Sequence, residues 1–279
     1  MRVYYTSAQS VRDNDSFSPS AGKPARLVEQ WQARWSDRLE FIEPRPVTPT
    51  ALSLVHKKSM VEDILACREP NGFGNTSKEV ADSLAWTNGS FVSATQYVLR
   101  HGGAACSPTS GFHHAGYSYC RAFCTFNGLM VAAMMARRRA PRIGILDCDY
   151  HYGDGTQDII DRLALEHVVH LTTGALPRPY DPEKFLAGLP RALADMKADL
   201  LLYQAGADAH VDDPLGGWMN TEQMRRRDRI VFRYCREAGL PVVWNLAGGY
   251  QEDLQKVLDL HHATMEECLN AFEETGSEL

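Results

Sequence analysis

The chain has 279 residues, 44% hydrophobic and 23% charged, a balance that excludes extended disorder and allows a large core. A net charge of −6 excludes a general grip on nucleic acid, which needs a basic surface, and the basic runs 137–139 and 225–227 read as solvated helix faces. No stretch approaches the ~18 apolar residues of a membrane span and no signal-like segment is present. The 7 cysteines lack paired spacing and read as free thiols, so a cytoplasmic protein is expected.

Residues 3–6 read as a short strand, and residues 7–23, rich in Ser, Asp, Asn and Pro, as a loop. Leu27, Trp31, Trp35 and Leu39 recur at four-residue spacing, which predicts an amphipathic helix over 24–41 with its tryptophans in the core. Thr50 can cap a helix running to about His56, and a further helix covers 60–67. The glycine-rich stretch 71–75 lacks the strand-before, helix-after context of a phosphate loop and reads as a surface loop. Helices follow over 77–86 and 90–101, then a small-residue strand over 104–107 and a long helix over 119–139. An apolar strand begins at Ile143, and helix 156–164, strand 167–171 and helix 181–196 come after it. Strand 200–204, helix 221–239, strand 242–246 and helix 252–270 complete the pattern. Apolar strands alternating with helices imply an α/β fold: a three-layer αβα arrangement around a mainly parallel sheet, in one domain over 1–279.

Open parallel sheets bind ligands at the carboxyl ends of their strands, and the unusual residues of this chain all follow strands. Asp147, Asp149 and His151 alternate at the end of the central apolar run, so they can share one face. Burying two carboxylates and an imidazole is costly unless a cation offsets it, and an Asp-x-His pair suits a zinc-like ion. His113-His114, then Asp208, His210, Asp212 and Asp213, then Gly248-Gly249-Tyr250 follow other strands. Each group alone has an ordinary reading as a polar loop, a turn or a packed aromatic. Their shared placement is what points to a site.

The combination also resembles a family, the zinc-dependent histone deacetylases and their bacterial relatives of the arginase–deacetylase fold. The resemblance rests on Gly111-Phe-His113-His114-Ala115, Phe123-Cys-Thr-Phe-Asn127, Asp147-Cys-Asp149-Tyr-His151-Tyr-Gly-Asp154-Gly, Gly206-Ala-Asp208-Ala-His210-Val-Asp-Asp213-Pro-Leu-Gly and Gly248-Gly-Tyr250. It implies a hydrolase that removes acyl groups from an acylated amine such as acyl-lysine or an acetylpolyamine. It further implies one zinc per chain on Asp149, His151 and Asp213, with a position left open for water. His113 and His114 would be the acid/base pair, oriented by Asp147 and Asp154 respectively, with His114 the working base. Tyr250 would donate its hydroxyl to the carbonyl oxygen, and Gly248 and Gly249 would let its ring move. Phe123 would line one wall of the substrate channel, while Asp208 and His210 are expected to support the ligands rather than join them.

Several residues depart from the family pattern. The region 161–198 is short, so the opposite channel wall is expected to be missing or rebuilt from Tyr180 or Leu176. His170 stands where the family commonly has a Ser that helps bind a structural potassium, which weakens the expectation of that ion. Ala122 and Ala247 replace glycines, residues 218–220 would face the entrance, and the early His-Pro-Glu element is absent from 16–23. An arginase-like ureohydrolase with two manganese ions and a non-catalytic binder of acylated ligands are the alternative readings.

Overall fold

The computed structural model describes residues 1–12, 16–177 and 180–273. Among these residues, seven strands form one sheet: β1 (Arg2–Tyr4), β2 (Glu40–Ile42), β3 (Ala104–Cys106), β4 (Ile143–Asp147), β5 (Val168–Thr172), β6 (Leu200–Gln204) and β7 (Val242–Asn245). Their order is β2-β1-β3-β7-β6-β4-β5, and every pairing is parallel. Successive strand side chains point to opposite faces. Ile143, Ile145, Leu200, Leu202 and Val243 therefore enter one core, and Leu146, Leu201, Tyr203, Val242 and Trp244 the other. Burial on both faces is why these strands read as unbroken apolar runs.

The first face is covered by α2 (Pro49–Leu52), α3 (Lys58–Leu65), α4 (Lys78–His101), α5 (Gly128–Ala136) and α6 (Asp154–Arg162). The second is covered by α1 (Lys23–Arg34), α7 (Pro182–Met196), α8 (Thr221–Glu237) and α9 (Leu254–Glu273). This is the expected three-layer αβα arrangement. Helix α5 is apolar nearly all round because it lies sandwiched inside the first layer, and Asn127 starts it by accepting the Met130 N–H at 3.1 Å.

The differences from the expected elements have local causes. The two helices expected over 77–101 are one, α4, because the polar residues at the expected break find partners within the fold. Asn88 donates to the Leu84 carbonyl at 2.9 Å, and Ser90 lies 2.6 Å from the Ser107 hydroxyl. The helix expected from residue 119 begins only at Gly128, since Ala122 and Phe123 hold left-handed backbone at φ 47° and 66°. The first helix stops at Arg34, and residues expected to continue it become β2 beside β1, although Trp35 and Leu39 are still buried. Thr48, not Thr50, caps α2. Arg227, expected on a solvated face, is fully buried, where it donates to the Gly206 carbonyl at 3.0 Å and to Asp228 at 2.8 Å. Residues 13–15 of the expected loop and residues 178–179 of the shortened region lie outside the described residues. Among the described residues, no helix is long and apolar enough to cross a membrane.

Candidate functional site

Strands β3, β7, β6 and β4 are consecutive neighbours, so the loops after them meet at one edge of the sheet. Asp147 closes β4 with no exposed surface. One of its oxygens accepts from His113 Nδ1 at 2.7 Å, and the other from Gln204 Nε2 at 2.9 Å and the Asp149 N–H at 3.1 Å. Gln204 in turn accepts the Phe112 N–H at 3.3 Å, which ties the His113 loop to β6. With Nδ1 committed to Asp147, His113 turns Nε2 toward Asp149, 3.6 Å from Oδ1. His114 bonds through Nδ1 to Asp154, whose second oxygen takes the Arg121 guanidinium and the Tyr119 hydroxyl, the latter at 3.2 Å. The two imidazole rings lie 4.0 Å apart.

These surroundings push the two histidines in opposite directions. Burial disfavours the His113 cation, but Asp147 and Asp149 together outweigh it and raise the group to about 9. For His114, burial and the neighbouring His113 prevail over Asp154, whose charge is shared with Arg121, and its pKa falls below the ordinary value. One ring therefore favours the cation and the other the free base at neutral pH.

Asp149, His151 and Asp208 offer an oxygen, a nitrogen and an oxygen that all lie within 4.8 Å of one another. His151 Nδ1 is 3.2 Å from Asp149 Oδ1 and 3.0 Å from Asp208 Oδ2. Asp149 and His151 thus come together as expected, while the third member of this tight group is Asp208, which was expected only to support it. Asp213 closes the next turn, with its carboxylate accepting the Tyr250 N–H at 2.7 Å and the Leu215 N–H at 3.0 Å. His210 bonds to Thr221 at 3.0 Å and to the Asp212 N–H at 3.1 Å, away from the cluster. The donor set fits a divalent cation. Burial and the adjacent Asp149 push the Asp208 carboxyl up to about 8, against the pull of the His151 ring bonded to it.

The Gly248-Gly249-Tyr250 turn is built onto this cluster. The Gly248 N–H donates to Asp149 Oδ2 at 3.1 Å, and a Cβ at that position would stand 2.8 Å from the same oxygen. Only glycine allows that approach. Beneath the turn lies Lys23, fully buried, whose Nζ donates to the Ala247 carbonyl at 2.7 Å and the Gly248 carbonyl at 3.3 Å. Burial lowers Lys23 to about 8 against the pull of Asp208, Asp149 and Asp213. Burial, with Asp149 and Asp208 nearby, raises the Tyr250 phenol well above its ordinary value, so the hydroxyl keeps its proton.

Phe123 packs against Tyr250 with ring centres 5.7 Å apart, and against Phe73 and Phe17 at 5.7 and 5.3 Å. The stretch 71–75, expected as a surface loop, instead braces it: the Phe123 N–H donates to the Gly72 carbonyl at 2.8 Å, and Asn71 is buried. On the other side Tyr150 stands 5.4 Å from His151, and Tyr180 packs on Tyr150 and Trp218 at 5.7 and 5.0 Å. The expected replacement by Tyr180 is therefore indirect, with Tyr150 nearer the cluster. Trp218 and Met219, expected at the entrance, are buried beneath it. Sequence reasoning missed Lys23, Arg121, Gln204 and Phe73. A glutamine ending an otherwise apolar strand was a usable signal for Gln204. Lys23 carries no local signal, because only the fold brings it to residue 248.

The sequence pattern of the Histone deacetylase domain matches residues 20–173 and 176–265. An uncharacterized protein of Picosynechococcus is 34% identical over 65% of this chain and 67% of its own length. Acetylpolyamine amidohydrolase 1 of Pseudomonas aeruginosa is 26% identical over 53% of this chain and 50% of its own length. The crystal structure of acetylpolyamine aminohydrolase from Burkholderia pseudomallei superimposes with a TM-score of 0.75 over 98% of this chain and 99% of that one, at 19% identity. That likeness shows the arginase–deacetylase fold. Sequence match and fold define an enzyme class, hydrolases acting on amide bonds. This chain belongs to the histone deacetylase family.

Proposed function

We propose that the chain is, as one catalytic domain, a zinc-dependent deacylase that hydrolyses an acylated amine such as acyl-lysine or an acetylpolyamine. The observation that carries the reading is the pair of carboxylate-held imidazoles, His113 on Asp147 and His114 on Asp154, set beside a carboxylate–imidazole cluster able to hold a metal. Asp149 and His151 would hold the metal. Asp213 and Asp208 are the two acids able to complete the set, and the family resemblance favours Asp213. When bound, the ion supplies Lewis acidity and lowers the pKa of water at the site.

The chain's own residues supply the remaining steps. His114, biased toward the free base, accepts the proton of the attacking water and returns it to the leaving amine. His113, biased toward the cation, stabilises developing negative charge without moving. Tyr250 keeps its phenolic proton and donates it in a hydrogen bond to the carbonyl oxygen as charge builds there. Phe123, with Phe73 and Phe17 behind it, walls the acyl channel on one side and excludes water. The products are a free amine and a carboxylic acid. All 7 cysteines are free, which supports a reducing compartment, the cytoplasm.

Metal content and activity test this together. Elemental analysis of the purified chain is expected to find one zinc, and chelation to abolish deacylation that added zinc restores. Two manganese ions per chain, with urea released from a guanidino substrate, would instead identify the ureohydrolase alternative.

A further inference from the structure

His170 projects from β5 with its side chain only 2% exposed. The ring wedges between Asp147 and Gly153: a Cβ on Gly153 would stand 3.0 Å from His170 Nε2 and 2.6 Å from Asp147 Oδ2. On its other edge Nδ1 faces Gln157 Oε1 at 3.2 Å. The amide nitrogen of Gln157 is committed to Asp161 at 2.8 Å, which turns its oxygen to the ring and fixes a proton on Nδ1. Among the described residues Nε2 has no hydrogen-bond partner, and it lies 3.9 Å from Asp147 Oδ2. The oxygens around it also accept hydrogen bonds from the chain. The Asp149 carbonyl accepts the Thr173 hydroxyl at 2.5 Å, and Thr172 Oγ1 accepts the Gly153 N–H at 3.3 Å. The oxygens of Asp147 already serve His113, Gln204 and the Asp149 N–H.

A potassium ion needs a shell of oxygens converging on it, and the residues here do not fit one, because an imidazole edge that carries no oxygen fills the space beside Asp147. We propose that His170 stands in for the structural potassium of related folds: its ring fills the place beside Asp147, and the chain folds without that ion. The inference is independent of the deacylase reading, because its primary readout is folding.

The test is the melting temperature of the intact chain in potassium, sodium and tetramethylammonium chloride at equal ionic strength, with and without the substitution His170→Ser. The wild type is expected to melt within about 1 °C in all three, since a ligand that binds only the folded state would raise the value. His170→Ser, which removes the ring and restores a hydroxyl, is expected to melt several degrees lower in tetramethylammonium and to recover part of the loss in potassium alone. A potassium-specific rise of several degrees in the wild type would overturn the proposal, as would a His170→Ser protein indifferent to potassium. Stoichiometric potassium retained by the wild type after exchange into tetramethylammonium would overturn it too, and that measurement needs no variant.

Discussion

Tyr250 is placed by its backbone: its N–H donates to Asp213 at 2.7 Å, and the residue two before it is bonded to Asp149 at 3.1 Å. Tyr250→Phe should lower turnover about 10²–10³-fold, the scale of losing one preorganised oxyanion donor, while bound metal stays unchanged. Normal turnover would remove Tyr250 from the chemistry. Arg121 acts one step further out, competing with His114 for Asp154. Its side chain is 61% exposed, so Arg121→Ala should cost less than about 1 kcal/mol of stability. Without the guanidinium the full charge of Asp154 falls on His114 and raises its pKa. A base must be neutral to act, so the acidic limb of kcat/KM should move to higher pH, and Arg121→Lys should move it back. A pH profile identical to wild type would show that Arg121 has no hold on His114.

At the scale of elements, the site depends on ties between segments far apart in sequence. Lys23 at the start of α1 binds the turn after β7, and Lys23→Met would leave the Ala247 and Gly248 carbonyls bare at about 1–3 kcal/mol each. Thermal melts should fall by several degrees and turnover should fall with them; an unchanged melt would mean that water replaces the ammonium. His56 links the segment between α2 and α3 to α5, its Nδ1 donating to the Gly116 carbonyl and its Nε2 accepting the Asn127 N–H, both at 2.8 Å. Those roles require the neutral ring, and burial lowers its pKa to about 4. Between its unfolded value of about 6.5 and that folded value the unfolded chain binds the proton first, so this contribution is full above 6.5 and is lost as pH falls toward 4. The upper bound is about 3 kcal/mol. Asp208, shifted upward to about 8, opposes this slope, and His114, shifted downward, adds to it. The measurement is therefore a difference: His56→Gln should lose less stability than wild type between pH 6.5 and 4.5, and equal losses would contradict the assignment. These same ties explain what could be read from sequence. The apolar strands were legible because burial on both faces leaves a local record in composition. The unbroken helix α4 and the left-handed turn at Ala122-Phe123 were not, since Ser90 and Phe123 take their conformations from Ser107 and Gly72 across the fold.

Over the whole molecule, four neighbouring strand ends bring together residues from 113 to 250, and the motifs in between mark each contribution. The candidate site was legible to that extent: His113 with Asp147, His114 with Asp154, and Asp149 with His151 stand where the sequence pairs them. The resemblance ranks Asp213 above Asp208 as a ligand, yet both follow β6, and it is packing that brings Asp208 against His151. Buried partners such as Lys23 left no trace, and the channel wall rebuilt around Tyr150, Tyr180 and Trp218 follows from aromatic packing across three loops. The most direct test of the central claim is turnover by the intact chain against a panel of acyl-lysine peptides and acetylpolyamines, before chelation, after it, and after zinc is restored. We expect at least one member to be hydrolysed to free amine and acid, with activity lost on chelation and regained with zinc. A blank across the panel with zinc bound would contradict the deacylase reading and leave the chain a binder of acylated ligands.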